Sequence, residues 1–124
     1  MIKQKKFVRA IAGVGRLHHT DSIFDDFRLL KMESINKYMC AIFMYKCLND
    51  VYFSSWFNYR EFSYRTRASV NRHLLQVPHI SNVHSEQMIT YRGPDLWNAI
   101  PVNIAESNYN SFKILYKSQL LIEQ

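Results

Sequence analysis

One segment of the chain, residues 34–48, constrains the fold more than any other. Its apolar residues recur at steps of three and four, the spacing of an amphipathic helix: Ile35, Tyr38, Met39, Ile42, Phe43 and Tyr45. Between Tyr38 and Tyr45 every residue is apolar, so the helix has no polar face there. Because such a helix is stable only when most of its sides are covered, the sequence predicts a buried helix at the centre of a helical core.

The composition bounds the size of that core. A chain of 124 residues, 48% of them hydrophobic, falls in the range of one domain, and only three glycines and three prolines argue against a long linker. No apolar stretch approaches the roughly 18 residues of a membrane span, and the N-terminal apolar run is too short for a secretory signal. We therefore expect one mostly ordered, soluble, intracellular domain over residues 1–124, in the nucleus, the cytoplasm or both.

The first half of this domain is predicted to be helical. Residues 1–15 form a basic amphipathic helix that ends at Gly13 and Gly15, with four apolar residues opposite its lysines: Phe7, Val8, Ile11 and Ala12. Residues 16–62 form the helical core, with a short helix from Thr20 or Asp21 through Leu30, the central helix, and a short helix over 52–62 in which Trp56, Phe57 and Phe62 pack. Cys40 and Cys47 would lie about 10 Å apart along one helix, beyond disulfide reach, as buried thiols in a reducing compartment.

The second half is predicted to begin without helix. Residues 63–91 form a loop with short strands, in which 73–77 and 87–91 pair as a β-hairpin. Residues 92–124 form the C-terminal helices: a short one that starts at Pro94 and ends at Pro101, and a last one capped by Asn108 or Asn110. Its apolar stripe comprises Phe112, Leu115, Tyr116 and Leu120. The expected fold class is mainly α, a small helical domain with a central buried helix and a short hairpin.

Charge points to an anionic partner. The net charge is +6, and the basic residues form two clusters: Lys3, Lys5, Lys6, Arg9 and Arg16, and then Arg60, Arg65, Arg67 and Arg72. Clustered cations bind phosphates better than scattered ones, so nucleic acid is the expected partner. The alternative is a basic surface that is merely solvated.

Three motifs resemble one family of proteins. They are Gln4-Lys5-Lys6-Phe7-Val8-Arg9, then Ile42-Phe43-Met44-Tyr45-Lys46 followed by Tyr64-Arg65-Thr66-Arg67, and finally Tyr91-Arg92-Gly93-Pro94-Asp95-Leu96-Trp97-Asn98-Ala99-Ile100-Pro101 through Ser111-Phe112-Lys113. Together they are similar to the region after the thumb in Jockey-like, non-LTR (LINE-type) retrotransposon reverse transcriptases. The resemblance covers nearly the whole chain.

The resemblance implies a parent protein that nicks DNA and copies its own RNA, with a polymerase that holds two Mg²⁺ ions on three aspartates. This chain is too short to contain that core. Phe24-Asp25-Asp26 places its aromatic directly beside the aspartates and on a predicted helix, so we interpret it as a solvated acidic face. We expect no catalytic activity and no cofactor, and a product that is a fragment or relic of the parent.

A zinc site is not expected either. The histidines are scattered as His18, His19, His73, His79 and His84, and the two cysteines lack the short Cys-x-x-Cys spacing. His18 and His19 are interpreted as a solvent-facing loop pair, with a phosphate contact beside Arg16 as the alternative.

The leading hypothesis is a non-catalytic module that contacts RNA or DNA through sequence-independent phosphate contacts. Its candidate residues are Lys3, Lys5, Lys6, Arg9, Arg16, Tyr64, Arg65, Arg67 and Arg72. An alternative for Arg65 and Arg67 is pairing with acids such as Asp25, Asp26 or Glu61.

The competing function is a protein-interaction module whose apolar N-terminal face docks on a polymerase thumb. Trp97 is expected to anchor the core, with base stacking as its alternative role.

Overall fold

The computed structural model describes residues 2–57, 74–79 and 88–124. Within these ranges the chain forms α1 (Ile2–Ala12), α2 (Asp21–Asp26), α3 (Met32–Leu48), a 3-10 turn (Ser54–Trp56), α4 (Ile89–Ala99), α5 (Val102–Ala105) and α6 (Tyr109–Glu123). None of the residues in these ranges belongs to a β-strand, and Leu75 alone forms an isolated bridge. The mainly α fold predicted from the sequence is confirmed.

Helix α3 lies at the centre of the core, packed between α4 and α6. The largest cluster of buried side chains joins it to α5, α6 and the segment before α3: Leu30, Ala41, Ile42, Ile100, Ile104, Phe112, Tyr116 and Leu120. The prediction that α3 is covered on most sides is only partly right, because Met39 is 60% exposed and Phe43 is also exposed. These two residues lie one turn apart on the side of α3 away from the buried cluster.

A second cluster forms around Met44, Cys47, Phe57 and Leu75. Leu75 is fully buried, and its backbone is held by one side chain of α4. Its N–H donates to Asn98 Oδ1 at 2.8 Å, and Asn98 Nδ2 donates to the Leu75 carbonyl at 2.9 Å. Asn98 therefore pairs with Leu75 as a neighbouring strand would, which satisfies both backbone groups of a buried residue outside any helix.

Helix α1 docks on α2 through a small cluster of Val8, Ile23 and Phe24. The segment between α2 and α3 is then fixed by two glutamines. Gln4 of α1 donates to the Leu30 carbonyl and accepts from the Met32 N–H, both at 2.9 Å. Gln124 donates to the Leu29 carbonyl and accepts from the Lys31 N–H, again at 2.9 Å.

Both α1 and α2 end in the same left-handed turn. After α1, Gly13 has φ +66°, its N–H donates to the Ala10 carbonyl, and the Val14 N–H donates to the Arg9 carbonyl. After α2, Arg28 has φ +49°. Its N–H donates to the Asp25 carbonyl, and the N–H of the next residue donates to the Phe24 carbonyl. This is the Schellman pattern, which favours glycine at the left-handed position; Gly13 fits it and Arg28 carries a Cβ there. The predicted stop of α1 at Gly13 is confirmed, whereas α2 ends at Asp26 and does not continue to Leu30.

The predicted hairpin is wrong in its second strand. Ile89, Thr90 and Tyr91 form the first turn of α4, so the segment interpreted as the strand 87–91 is largely helical. Pro94 was expected to start this helix and instead lies inside it, where its ring leaves the Thr90 carbonyl without the usual N–H partner. Gly93 and Pro94 are both buried, and this burial against α3 offsets the lost bond. The predicted end at Pro101 is confirmed, since α4 stops at Ala99 and Ile100 is extended before the proline.

Two further predictions were wrong in part. Over 52–62, the described residues contain only the 3-10 turn. Trp56 is 59% exposed instead of packed in the core, whereas Phe57 is buried in the second cluster as predicted. Helix α6 begins as predicted, with the Asn108 side chain accepting from the Ser111 N–H at 2.9 Å, but Leu115 of its expected apolar stripe is exposed. Phe112, Tyr116 and Leu120 form the buried stripe, at steps of four.

Both cysteines are free, as expected. Cys47 is buried and Cys40 is half-buried, and in each case burial is the main cause that raises the pKa of the thiol. The thiols are thereby kept in their unreactive protonated form.

Candidate nucleic-acid interface

Helix α1 presents its basic residues on one continuous arc. Gln4, Val8 and Ala12, spaced by four, face α2 and the segment before α3. The four basic residues Lys3, Lys5, Lys6 and Arg9 cover roughly 160° of the remaining circumference. Lys3 and Lys6 are exposed, while Lys5 and Arg9 are half-buried at the edge of the contact with α2. The structure therefore brings four of the candidate residues together on one helix.

Arg9 also organises the turn that follows α1. Its Nε donates to the His18 carbonyl at 2.9 Å, and the His18 N–H donates to the Gly15 carbonyl at 3.0 Å. The exposed Arg16 lies within this turn, which is thereby held next to the end of α1. Arg16 thus extends the basic surface beyond the helix.

One acid lies close to this surface and is already paired. Asp21 accepts from Lys31 Nζ at 2.8 Å. The hydrogen bond and charge of Lys31 lower the pKa of Asp21, and the nearby Lys5 and His19 lower it further. The contact between Asp21 and Lys31 is the only ion pair among the residues that the structure describes. No described carboxylate therefore lies within ion-pair distance of Lys3, Lys6, Arg9 or Arg16. As far as the described residues are concerned, the basic arc is open to an external anion.

The same helix also exposes apolar side chains. Phe7 and Ile11 are each 70% exposed, and Phe7 lines a shallow cleft of about 280 Å³ with Lys3, Lys6 and Ala10. Both residues belong to the apolar side of α1 that the sequence predicts, together with Val8 and Ala12. Val8 and Ala12 pack in the cluster with α2, whereas Phe7 and Ile11 on the same side of α1 stay exposed.

The second candidate cluster, Tyr64, Arg65, Arg67 and Arg72, lies outside the described residues, as do Arg60 and Glu61. Its assignment to phosphate contact, or to pairing with acids, stays a prediction.

The structure describes Asp25 and Asp26 and some of the histidines that were considered as metal ligands. Phe24 is fully buried and Asp25 and Asp26 are exposed on α2, the geometry of a solvated helix face. Across residues 2–57, 74–79 and 88–124, no three His, Cys, Asp or Glu side chains converge as a metal site would require. His18, His19 and His79 lie in that part of the chain, and His73 and His84 do not.

One basic and aromatic arrangement was not predicted from the sequence. Lys46 of α3 and Lys113 of α6 place their Nζ atoms 5.6 and 4.5 Å from the centre of the Tyr109 ring. The step of four from Tyr109 to Lys113 is a sequence signal for such a contact. Lys46 is distant in sequence and joins them only through the packing of α3 on α6.

We compared the chain with protein-family models, curated proteins and solved structures, and none of them matches it. No helix in the described ranges is long and apolar enough to cross a membrane.

Proposed function

We propose that this chain is a non-catalytic module that contacts RNA or DNA, of the kind that follows the polymerase core in non-LTR retrotransposon reverse transcriptases. The observation that carries the proposal is the arc of Lys3, Lys5, Lys6 and Arg9 on α1, which is joined by Arg16 and forms no ion pair with any residue that the structure describes. A reverse-transcriptase core is the proposed protein partner.

The proposed contact is electrostatic and independent of sequence. Lysine ammonium groups meet phosphates as point charges, and each phosphate that they neutralise releases condensed counterions. Because Gln4 and Val8 fix the opposite side of α1 to the rest of the chain, the basic arc faces outward. Such a surface holds a strand in place while another part of the protein selects or copies it.

The residues that carry the family resemblance near the C-terminus have structural roles in this fold. Gly93 lies against Met44, Trp97 packs between the two larger clusters, and Asn98 holds Leu75. These contacts supply a physical reason for the spacing of the Gly-Pro-x-x-Trp-Asn motif. They support a module of this kind without adding any catalytic group.

The test is the salt dependence of binding to a DNA or RNA duplex. Replacing Lys3, Lys5, Lys6 and Arg9 by Gln should reduce the slope of log affinity against log salt by about three to four, if each residue meets one phosphate. Replacing Lys3, Lys5 and Lys6 by Arg is the matched control, because it keeps the charge and should keep the slope. An unchanged slope in the Gln variant, with the fold intact by circular dichroism, would show that these residues are only solvated.

A second candidate function is supported by the exposed apolar side chains of α1. Phe7 and Ile11 are poorly covered, and a helix that presents them beside Lys3 and Lys6 fits an apolar groove with an acidic rim on a polymerase thumb. Changing both Phe7 and Ile11 to Ser removes the apolar stripe and keeps the charges. If this variant loses binding to a purified polymerase thumb and retains binding to nucleic acid, α1 is a protein-docking helix. Loss of nucleic-acid binding in the Gln variant alone favours the first function.

A further inference from the structure

Two lysines from different helices each place an ammonium group against the same tyrosine ring. Lys46 comes from the last turn of α3 and Lys113 from the second turn of α6, and their Nζ atoms lie 5.6 and 4.5 Å from the centre of the Tyr109 ring. Two like charges are thus held next to the same aromatic group.

The ring that both lysines contact is firmly positioned. Tyr109 packs against Tyr45 with ring centres 5.7 Å apart, and Tyr45 packs in turn against Phe112 at 4.7 Å. The Tyr45 hydroxyl donates to the Ser107 carbonyl at 2.8 Å, which fixes the turn just before α6. The site is therefore built on two packed helices and a hydrogen-bonded turn.

The two lysines form no ion pair in the part of the chain that the structure describes. No carboxylate lies within ion-pair distance of Lys46 or Lys113 among the described residues. The half-buried ring attracts each ammonium group, whereas the two ammonium groups repel each other. An anion bound by both would remove that repulsion. The ring restricts the many conformations of the two side chains in advance, which lowers the entropic cost of binding.

We propose that Lys46 and Lys113, positioned by Tyr109, form a binding site for a phosphate group. The ammonium groups occupy the space over the ring, so the site takes the phosphate and does not stack a base. It lies on α3 and α6, apart from the basic arc of α1, and it stands whether or not α1 binds nucleic acid. The phosphate comes either from free inorganic phosphate or from the backbone of a nucleic-acid strand.

The experiment is an NMR titration of the full chain with two probes, sodium phosphate and a short single-stranded oligothymidylate, at constant ionic strength. We expect saturable shifts of the Tyr109 ring signals and of the Lys46 and Lys113 side-chain signals. The double change of Lys46→Gln with Lys113→Gln should weaken this response at least tenfold. Lys117→Gln is the matched control, because Lys117 is exposed one turn beyond Lys113 on the same helix and should bind no phosphate.

The role of the ring is tested separately. Tyr109→Leu should weaken phosphate binding several-fold although both lysines remain, and Tyr109→Phe should retain it. Because Tyr109 packs on Tyr45, the melting temperature of each variant is measured first, and binding is compared at a temperature where both variants are folded.

Each outcome bears on the proposal. Saturation by inorganic phosphate identifies a free-phosphate site, and saturation by the oligonucleotide alone identifies a backbone contact; either supports it. No saturable shift with either probe, or an equal loss in Lys117→Gln, overturns it. The variant with four Gln residues on α1 separates the two proposals, since it should lose duplex binding and keep the response at Tyr109.

Discussion

Gly93 and Met44 lie in direct contact where α4 crosses α3, so closely that a Cβ on Gly93 would stand 2.5 Å from Met44 Sδ. Met44 is fully buried, and its side chain therefore has little room to move away. The two helices approach each other this closely because residue 93 has no side chain.

We expect Gly93→Ala to lower the free energy of unfolding by about 1–3 kcal/mol, the usual cost of adding a methyl group to a packed core. Urea denaturation measures it. Gly15→Ala is the control, since a Cβ there meets no atom within 4 Å. In a double-mutant cycle, Met44→Ala should absorb part of the Gly93→Ala cost; purely additive costs would show that the two residues do not interact.

We expect substitutions at the two left-handed turns to change the stability of the protein in opposite directions. Gly13→Ala should destabilise the protein by about 1 kcal/mol, because the φ of +66° disfavours any Cβ although the space around it is open. Arg28→Gly should stabilise it by up to about 1 kcal/mol, because it relieves the same strain at φ +49°. Both are read from thermal melting, and effects of the same sign would contradict the assignment.

Trp97 should anchor the core. Its ring lies 5.7 Å from Phe112 and 6.3 Å from Tyr45 and contacts both of the larger clusters. Trp97→Ala should cost roughly 3–5 kcal/mol of stability. Trp56→Ala, which removes an exposed ring and its edge contact with Phe53, should cost about 1 kcal/mol. If Trp97→Ala melts normally and loses affinity for single strands, Trp97 stacks on bases instead.

Alkaline pH should destabilise the fold through Tyr116. Burial, and then the charges of Glu123 and Cys40, raise the pKa of Tyr116 to about 12. In the unfolded chain it ionises near pH 10, at about the value of free tyrosine. The fold favours the neutral phenol, so this contribution is complete below about pH 10 and is lost as the pH rises towards 12. Tyr116→Phe should reduce the fall in melting temperature over that range, whereas Tyr52→Phe, at an exposed ring, should not.

We expect no primer extension with Mg²⁺ or Mn²⁺ on any template, because the sequence lacks the aromatic-x-Asp-Asp motif through which a polymerase holds its metal ions. Incorporation of labelled nucleotides is the measurement. Activity that disappears when Asp25 and Asp26 are changed to Asn would show that α2 carries a metal site after all.

Local patterns in the sequence were sufficient for several elements. The apolar spacing of residues 34–48 identified α3, and Asn108 was one of the two predicted caps of α6, because a helix and its cap depend on neighbours within one or two turns. Pro94 was misplaced because proline suits a first turn, and only the packing of α4 on α3 stabilises it deeper in the helix. Ile89, Thr90 and Tyr91 have the preference of a strand, which tertiary contacts override.

The site was predicted less completely than the fold. Charge clustering and helical spacing identified the basic residues of α1, but which of its apolar residues are covered depends on where α2 packs. Lys46 and Tyr109 come together only in three dimensions, so no local pattern joins them. The same holds for Asn98 with Leu75 and for the two glutamines that hold the segment before α3.

Because of the two glutamines, the exchange rates of two neighbouring backbone amides depend on different terminal helices. The Lys31 N–H is held by Gln124 after α6, and the next N–H, that of Met32, is held by Gln4 of α1. Fraying at the end of α6 would expose the first to solvent exchange and leave the second protected, and release of α1 would do the reverse. Deuterium uptake at two adjacent residues thus distinguishes which terminal helix opens first.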